Sequence, residues 1–227
     1  MDQAEELRNV IKKQNQRTKK PARIITVTSG KGGVGKSNIA VNLAVQFQRM
    51  GLKTIIFDAD IGLANVEVMF GTIPQYSLND LIYHDKEIED IITDGPEGVG
   101  FISGGSGIMG LSNLDQISYL VKSVEKLSVI ADIVIVDTGA GISDSVMEFV
   151  ASSPEILLVT TPEPSSLTDA YSLLKMLYRN PKYDKNESVI HVLTNRVASF
   201  GEGKMVFDKL ESVVKQFLDG SVHYIGI

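Results

Sequence analysis

The 227-residue chain has no cysteine, no tryptophan and only three histidines. Without cysteine there is no disulfide, no thiolate metal site and no cysteine nucleophile. His84, His191 and His223 are far apart and share no ligand spacing, so they are expected to be structural or exposed, with no transition metal bound. No apolar run reaches the roughly 18 residues of a membrane span, and the N-terminus lacks the apolar segment of a secretory signal. A cytoplasmic location is therefore expected. Positive charge is also short: 22 Lys and Arg against 28 Asp and Glu give a net charge of −6. That balance argues against a surface built throughout to grip nucleic acid, while leaving room for a local basic patch.

What remains is ordinary for a folded domain, with 43% hydrophobic and 22% charged residues. The length suits one α/β domain with a sizeable core. Residues 1–23 are polar. DQAEELRNVIKK can open a first helix, and the basic stretch QNQRTKKPAR has almost nothing to bury and reads as a solvated linker. From Ile24, β-branched runs at 24–29, 53–58, 99–103, 132–137, 155–160, 188–194 and 222–227 alternate with helical patterns at 36–50, 112–129, 143–151, 165–179 and 203–219. Strands this continuously apolar predict a sheet covered on both faces. Their alternation with helices predicts a doubly wound, mostly parallel α/β sheet of about seven to eight strands. The last run, VHYIGI, reads as a buried strand with nothing after it to cap the sheet, so residues 1–227 are expected to be part of a longer protein. The cluster SGGSG (103–107) lacks a lysine and an adjoining helix start and is read as a loop.

IITVTS, GKGGVGKS and NIAVNLAVQFQRMG follow one another as strand, glycine loop and helix. Gly30, Gly35, Lys36 and Ser37 fill the phosphate-loop pattern G-x-x-x-x-G-K-[ST], and the context makes the match strong. Gly32, Gly33 and Gly35 let the backbone N–H groups wrap phosphate oxygens, and the helix N-terminus favours the anion. Lys36 should bridge β- and γ-phosphates, and Ser37 should ligate Mg²⁺. Lys31 is a second lysine, on the far side of the loop from Lys36. It is badly placed for its own γ-phosphate and free to extend toward another chain, or else simply solvated. FDADIGLAN (57–65) ends a strand with Asp58 and Asp60, where open parallel sheets bind ligands; Asp58 could equally cap the strand end. DIVIVDTGAGIS (132–143) places Asp137 after an apolar strand, with Gly139 and Gly141 giving the following loop freedom to move.

KGGVGKS resembles the deviant Walker A motif of the MinD/ParA ATPases, and the resemblance runs through residues 22–227. It implies a P-loop NTPase fold over residues 24–227 that binds Mg²⁺ with ATP or ADP on residues 30–38, Val34 and Asn38 among them. It implies that Lys31 crosses an ATP-dependent homodimer interface to the partner's nucleotide, much like an arginine finger. By the same resemblance Asp60 orients the attacking water, Asp58 lies near the Mg²⁺ shell, and Asp137 holds the ion through water. TNR (194–196) resembles the base-recognition element, with Asn195 on adenine and Arg196 beside it, although Asn and Arg are also common after a strand. TPEPSSLTDAY (161–171) resembles the segment facing the dimer partner and effectors, with Glu163, Ser165 and Asp169 in matching places. A helix N-cap by Ser165 or Ser166 would explain part of it equally well. In the family an adenine-contacting loop and an amphipathic membrane-targeting helix follow the last strand. Reversible membrane association is thus implied for a longer protein and not expected of residues 1–227 alone.

DQAEELR at residues 2–8 is similar to the N-terminal motif of the flagellar branch of that family, the FlhG group of regulators of flagellar number and placement. That likeness implies binding to the GTPase FlhF through residues 2–8, stimulation of its hydrolysis with Gln3 at the GTPase site, and further flagellar switch-complex partners. Taken cold, the segment is only the start of a short helix with Asp2 able to cap it. Two other classes compete. A partitioning ATPase needs a basic DNA-binding face, and a regulator acting only through its N-terminal helix would keep its effect when Lys36 is changed. A relative of nitrogenase iron protein would need cluster-ligating cysteines, which are absent.

Overall fold

A computed structural model describes residues 21–63, 65–105 and 113–227. Gln3, the helix expected near the N-terminus and part of the SGGSG cluster lie outside these residues.

The seven β-branched runs and one two-residue segment that the sequence did not mark, Thr93–Asp94, form one eight-stranded sheet. In chain order the strands are β1 (Arg23–Ser29), β2 (Thr54–Ala59), β3 (Thr93–Asp94), β4 (Gly100–Ile102), β5 (Ile133–Ala140), β6 (Glu155–Thr160), β7 (Val189–Thr194) and β8 (His223–Gly226). Their spatial order is β3-β4-β2-β5-β1-β6-β7-β8. All pairings are parallel except β3 against β4. The helices are α1 (Lys36–Arg49), α2 (Asn65–Phe70), α3 (Leu78–Tyr83), α4 (Leu114–Leu127), α5 (Asp144–Ala151), α6 (Pro164–Tyr178) and α7 (Phe200–Leu218).

Alternation along the strands sends successive side chains to opposite faces. Ile133 and Ile135 of β5 pack with Ala40, Val41 and Ala44 of α1, whereas Val134 and Val136 pack with Ile117, Leu120 and Val124 of α4. Farther along the second face, α5, α6 and α7 cover Ile156, Leu158, Ile190 and Val192. The central strands are therefore buried on both sides, as their continuous apolar runs require.

Three departures from the sequence reading have simple causes. Helices α2 and α3 were not anticipated, because six residues are too few to establish a 3.6-residue period. Ser77 and Asp80 form a capping box that starts α3. Second, VHYIGI is not a buried strand. It lies at the sheet edge, paired only with β7, and His223 and Ile225 face solvent while Tyr224 packs on Phe200 and Phe207. Third, neither Ser165 nor Ser166 caps α6. The helix starts on Pro164, whose missing N–H costs nothing at that position, and Ser166 Oγ instead accepts from the Thr161 N–H at 3.1 Å.

At the opposite end of the strands from the glycine loop, Glu155 ties three of them together. Arg23 of β1 donates Nε and Nη2 to its two carboxylate oxygens at 2.5 and 2.7 Å, and His191 Nε2 of β7 lies 3.1 Å from Oε1. The Arg23 guanidinium holds the Glu155 carboxyl below the usual carboxylate range, against the opposing effect of burial. A lowered folded pKa means that Glu155 stabilises the fold above its unfolded value of 4.5, and that this contribution is lost as pH falls through the folded value. Glu155→Gln is expected to cost about 1 kcal/mol near neutral pH. Urea unfolding should show the gap between the two proteins closing as the pH drops below 4.5. A gap that persists unchanged in acid would show that the pair does not carry this stability.

Candidate functional site

The C-terminal ends of the parallel strands converge on a cavity of about 960 Å³. Its floor is the segment between β1 and α1. Gly33 and Gly35 adopt left-handed conformations (φ 76° and 94°), which turn the loop around the cavity and lead into α1, with Gly35 as the residue before its first turn. Gly32, Gly33, Gly35, Lys36, Ser37 and Asn38 line the cavity, so the loop and the first turn of the helix present their backbone to it. Val34 points the other way and is buried.

Several of the residues singled out in the sequence stand outside this lining, Asn195, Gly30 and Lys31 among them. Asn195, just after β7, donates Nδ2 to the Val34 carbonyl at 2.7 Å. The same amide nitrogen would lie 2.4 Å from a Cβ on Gly35, so the loop rests directly on it. Arg196 follows with φ 56° and does line the cavity. Gly30 faces α6, where an added Cβ would sit 2.2 Å from the Asp169 carbonyl carbon, and its lack of a side chain serves this close approach. Lys31 points away from the cavity to the start of α6, with Nζ 2.5 Å from Glu163 Oε2 and 2.8 Å from Ser165 Oγ. The Glu163 carboxyl, which is exposed, is held below its ordinary range by this lysine. Lys31, Glu163, Ser165 and Asp169 thus form one surface beside the glycine loop.

At the cavity floor Lys36 Nζ donates to Asp137 Oδ1 at 2.9 Å, with the lysine side chain 8% and the aspartate 0% exposed. Asp137 Oδ2 is buried with no hydrogen-bond partner. Asp58 sits opposite Asp137 on the neighbouring strand and is also fully buried. Its two oxygens accept from the backbone N–H groups of Asp60 and Val66, both at 3.1 Å. Burial pushes the Asp58 carboxyl up to about 7; the N–H from Val66 opposes the rise, and the nearby Asp137 adds to it. Asp60 lines the cavity itself. Burial raises its pKa too, with Lys36 pulling in the opposite direction. Asn65 Nδ2 donates to Asp60 Oδ2 at 2.8 Å, and a Cβ on Gly139 would stand 3.1 Å from Oδ1, so the carboxylate is wedged between α2 and the end of β5.

The donor set suits Mg²⁺ held jointly with phosphate. Among the described residues no group of three or more His, Asp or Glu side chains could hold an ion by itself. The partnerless Asp137 oxygen and the Ser37 hydroxyl, 3.5 Å from Lys36 Nζ, are the hard oxygen donors at the floor. Asp58 is less available, since backbone N–H groups already occupy both its oxygens.

Other lining residues were not identified from the sequence. Asn65 was visible inside FDADIGLAN but had no assigned partner. Ser143 and Ser145 come from the start of α5, and Leu63, Val68 and Met69 form an apolar rim. Leu63 and Val68 are 68% and 77% exposed. None of these carries a local signature, since only the crossing of β2 and β5 brings them to the glycine loop.

A glycine loop feeding a helix, a buried lysine on an aspartate at the end of the adjacent strand, and a cavity at the carboxyl edge of a parallel sheet define a P-loop NTPase. Comparison with known proteins agrees. The family described as "ParA: NUBPL iron-transfer P-loop NTPase" matches residues 20–195. The antiactivator FleN of Pseudomonas aeruginosa is 41% identical over 209 residues, spanning 91% of this chain and 73% of FleN. The flagellum site-determining protein YlxH of Helicobacter pylori is 35% identical over 232 residues, 99% of this chain and 77% of YlxH. Among solved structures, the cell division ATPase MinD of Pyrococcus furiosus superposes with a TM-score of 0.70 at 26% identity, covering 84% of this chain and 80% of MinD. MinD of Pyrococcus horikoshii, complexed with Mg-ADP, gives 0.69 at 25% identity, over 88% of this chain and 79% of that one. The chain belongs to the ParA/MinD family of P-loop NTPases, with FleN and YlxH among its homologues, and it is an ATPase.

Removing one partner of a buried ion pair leaves the other uncompensated, typically at a cost of about 3–5 kcal/mol. Asp137→Ala is therefore expected to destabilise the nucleotide-free protein by about 3 kcal/mol. Thermal unfolding should also show that Mg·ADP no longer raises its melting temperature. An unchanged melting temperature without nucleotide would mean that the Lys36–Asp137 pair contributes nothing to the fold.

Proposed function

We propose that this ATPase is a nucleotide-dependent switch that dimerises on Mg·ATP and regulates flagellar number and placement, with its N-terminal segment acting on the GTPase FlhF. The observation that carries the dimer reading is the position of Lys31. It lies outside its own cavity, on a surface shared with Glu163, Ser165 and Asp169. The exposed apolar rim of Leu63, Val68 and Met69 offers area for a second copy to cover. The flagellar assignment rests on the relatives: one is an antiactivator and the other a flagellum site-determining protein.

Within one subunit the residues divide the work as follows. The N–H groups of Gly32, Gly33 and Gly35 and the start of α1 hold the phosphates. Lys36 leaves Asp137 to reach the β- and γ-oxygens, exchanging one anionic partner for another. Ser37, and Asp137 through water, would hold Mg²⁺ with Asp58 beside them, and the ion would supply neutralisation of phosphate charge. Asp60, held by Asn65, orients the water that attacks the γ-phosphate. Arg196 stacks against or positions the base, and Asn195, with Nδ2 committed to Val34, has Oδ1 to accept from the adenine amino group. Lys31 must leave Glu163 and Ser165 to reach the partner's nucleotide. These contacts are exposed, so that exchange costs little. Gly139 and Gly141 let the loop after β5 follow the γ-phosphate.

The N-terminal reading assigns residues 1–23 to a separate activator and linker and residues 24–227 to the ATPase. Gln3 would orient water at the FlhF active site, as a glutamine does in other GTPases. Membrane association is inherited from the family resemblance alone; none of the described helices is long and apolar enough to cross a bilayer.

Lys31→Ala is expected to weaken ATP-induced dimerisation, read by light scattering, while the monomer still binds ADP. Full dimerisation of that variant with ATP would overturn the trans role of Lys31. Gln3→Ala should abolish stimulation of FlhF GTP turnover and leave ATP turnover unchanged. Equal stimulation by both proteins would remove Gln3 from the mechanism, and salt-sensitive DNA binding by the dimer would favour a partitioning role instead.

A further inference from the structure

The glycine cluster after β4 reads as a plain loop in the sequence, yet Ser103 and Gly104 lie directly against the segment that carries Asp58 and Asp60. Ser103 is fully buried. Its Oγ donates to Glu67 Oε2 at 2.5 Å and accepts from the Gly105 N–H at 3.1 Å, and its carbonyl accepts from the Leu78 N–H at 3.0 Å. Gly104 lies close against the backbone of the acidic segment. A Cβ there would stand 3.0 Å from the Asp58 carbonyl oxygen and 3.2 Å from that of Asp60, so a larger residue would require the segment to shift.

Glu67 is the third residue of α2, and the two residues before it hold the carboxylates. Asn65 donates to Asp60 and the Val66 N–H donates to Asp58. A six-residue helix is too short to hold its own place, because its few internal hydrogen bonds do not offset the cost of nucleation. Its position is set by anchors: Val66 in the core and Phe70 edge-on to Phe101, with Glu67 on Ser103 at the end nearer the carboxylates. Contact thus runs from Ser103 through Glu67 and α2 to the Asp60 carboxylate.

We propose that Ser103, Gly104 and Glu67 are positioning residues for ATP hydrolysis, fixing the Asp60 carboxylate through α2 and the backbone beneath it. The proposal rests on the reading of Asp60 as the group that orients the attacking water. None of the three touches the glycine loop or Lys36 in the contacts described above. Their loss should therefore disturb the chemical step and leave nucleotide binding intact.

The test is steady-state ATP turnover by the whole chain. Glu67→Ala is expected to lower kcat about 10- to 100-fold, the scale of a misplaced reacting group, with KM changed by less than about twofold. Glu67→Gln, which keeps an acceptor for the Ser103 hydroxyl, should restore most of the rate. Ser103→Ala should behave like Glu67→Ala; because Ser103 is fully buried, the half-buried Glu67 pair carries the test if that variant fails to fold. In an Asp60→Ala background Glu67→Ala should cost nothing further, since there is no carboxylate left to position. A normal kcat for Glu67→Ala, a loss confined to KM, or the same additional loss on top of Asp60→Ala would each overturn the proposal while leaving the Asp60 reading intact. Normal turnover by Asp60→Ala alone would remove that reading and the proposal with it.

Discussion

Lys36 and Asp137 meet at the base of the glycine loop, with both charged side chains buried. Taking two ions out of water is expensive, and their mutual attraction has to offset it. In this fold that bond connects the first helix to the strand beside β1. In the proposed mechanism nucleotide binding exchanges one anionic partner of Lys36 for another, which limits the cost of leaving the ion pair. The partnerless second oxygen of Asp137 and the buried Asp58 alongside concentrate negative charge at the same floor. A cation shared with phosphate is the natural complement to such a floor.

Around this pair the polar groups of the site fall into two systems. On the cavity side, Asp58, Asp60 and Asn65 are locked by backbone N–H groups and by the wedge of Gly139. On the outer side, Lys31, Glu163 and Ser165 are exposed and linked by contacts that water can replace. The difference in burial has a mechanical meaning. Buried hydrogen bonds fix positions, and exposed ion pairs can open at small cost. The rigid set faces the cavity and the loose set faces outward, the division that the proposed switch, with a fixed catalytic floor and a movable contact surface, requires. Gly30 joins the two, because the glycine loop lies against the α6 backbone there with no side chain between.

The glycine loop was legible because phosphate binding imposes a contiguous pattern: a strand, glycines at positions needing left-handed torsions, a lysine and a hydroxyl, then a helix. The parallel sheet was legible because strands buried on both faces are apolar at every position. Helices α2 and α3 were not, since six residues leave no periodic trace, and the edge placement of VHYIGI was not, since its apolar residues resemble those of a buried strand. Asn195 shows the limit within a motif. Its position after β7 marked it for the site, but only the structure places its amide under Val34 and Gly35.

By itself the sequence determined the reaction class, the chain order of seven of the eight strands and the glycine loop between β1 and α1, because each depends on neighbours in sequence or on burial averaged over a segment. The tertiary structure decided which charges meet. Lys36 and Asp137 are 101 residues apart, and Lys31 and Glu163 are 132 apart. Ser103 reaches Glu67 across 36. Such pairs leave no local pattern, because the energy of a charge or a hydrogen bond depends on distance and burial in space, and the crossover connections of the sheet set both.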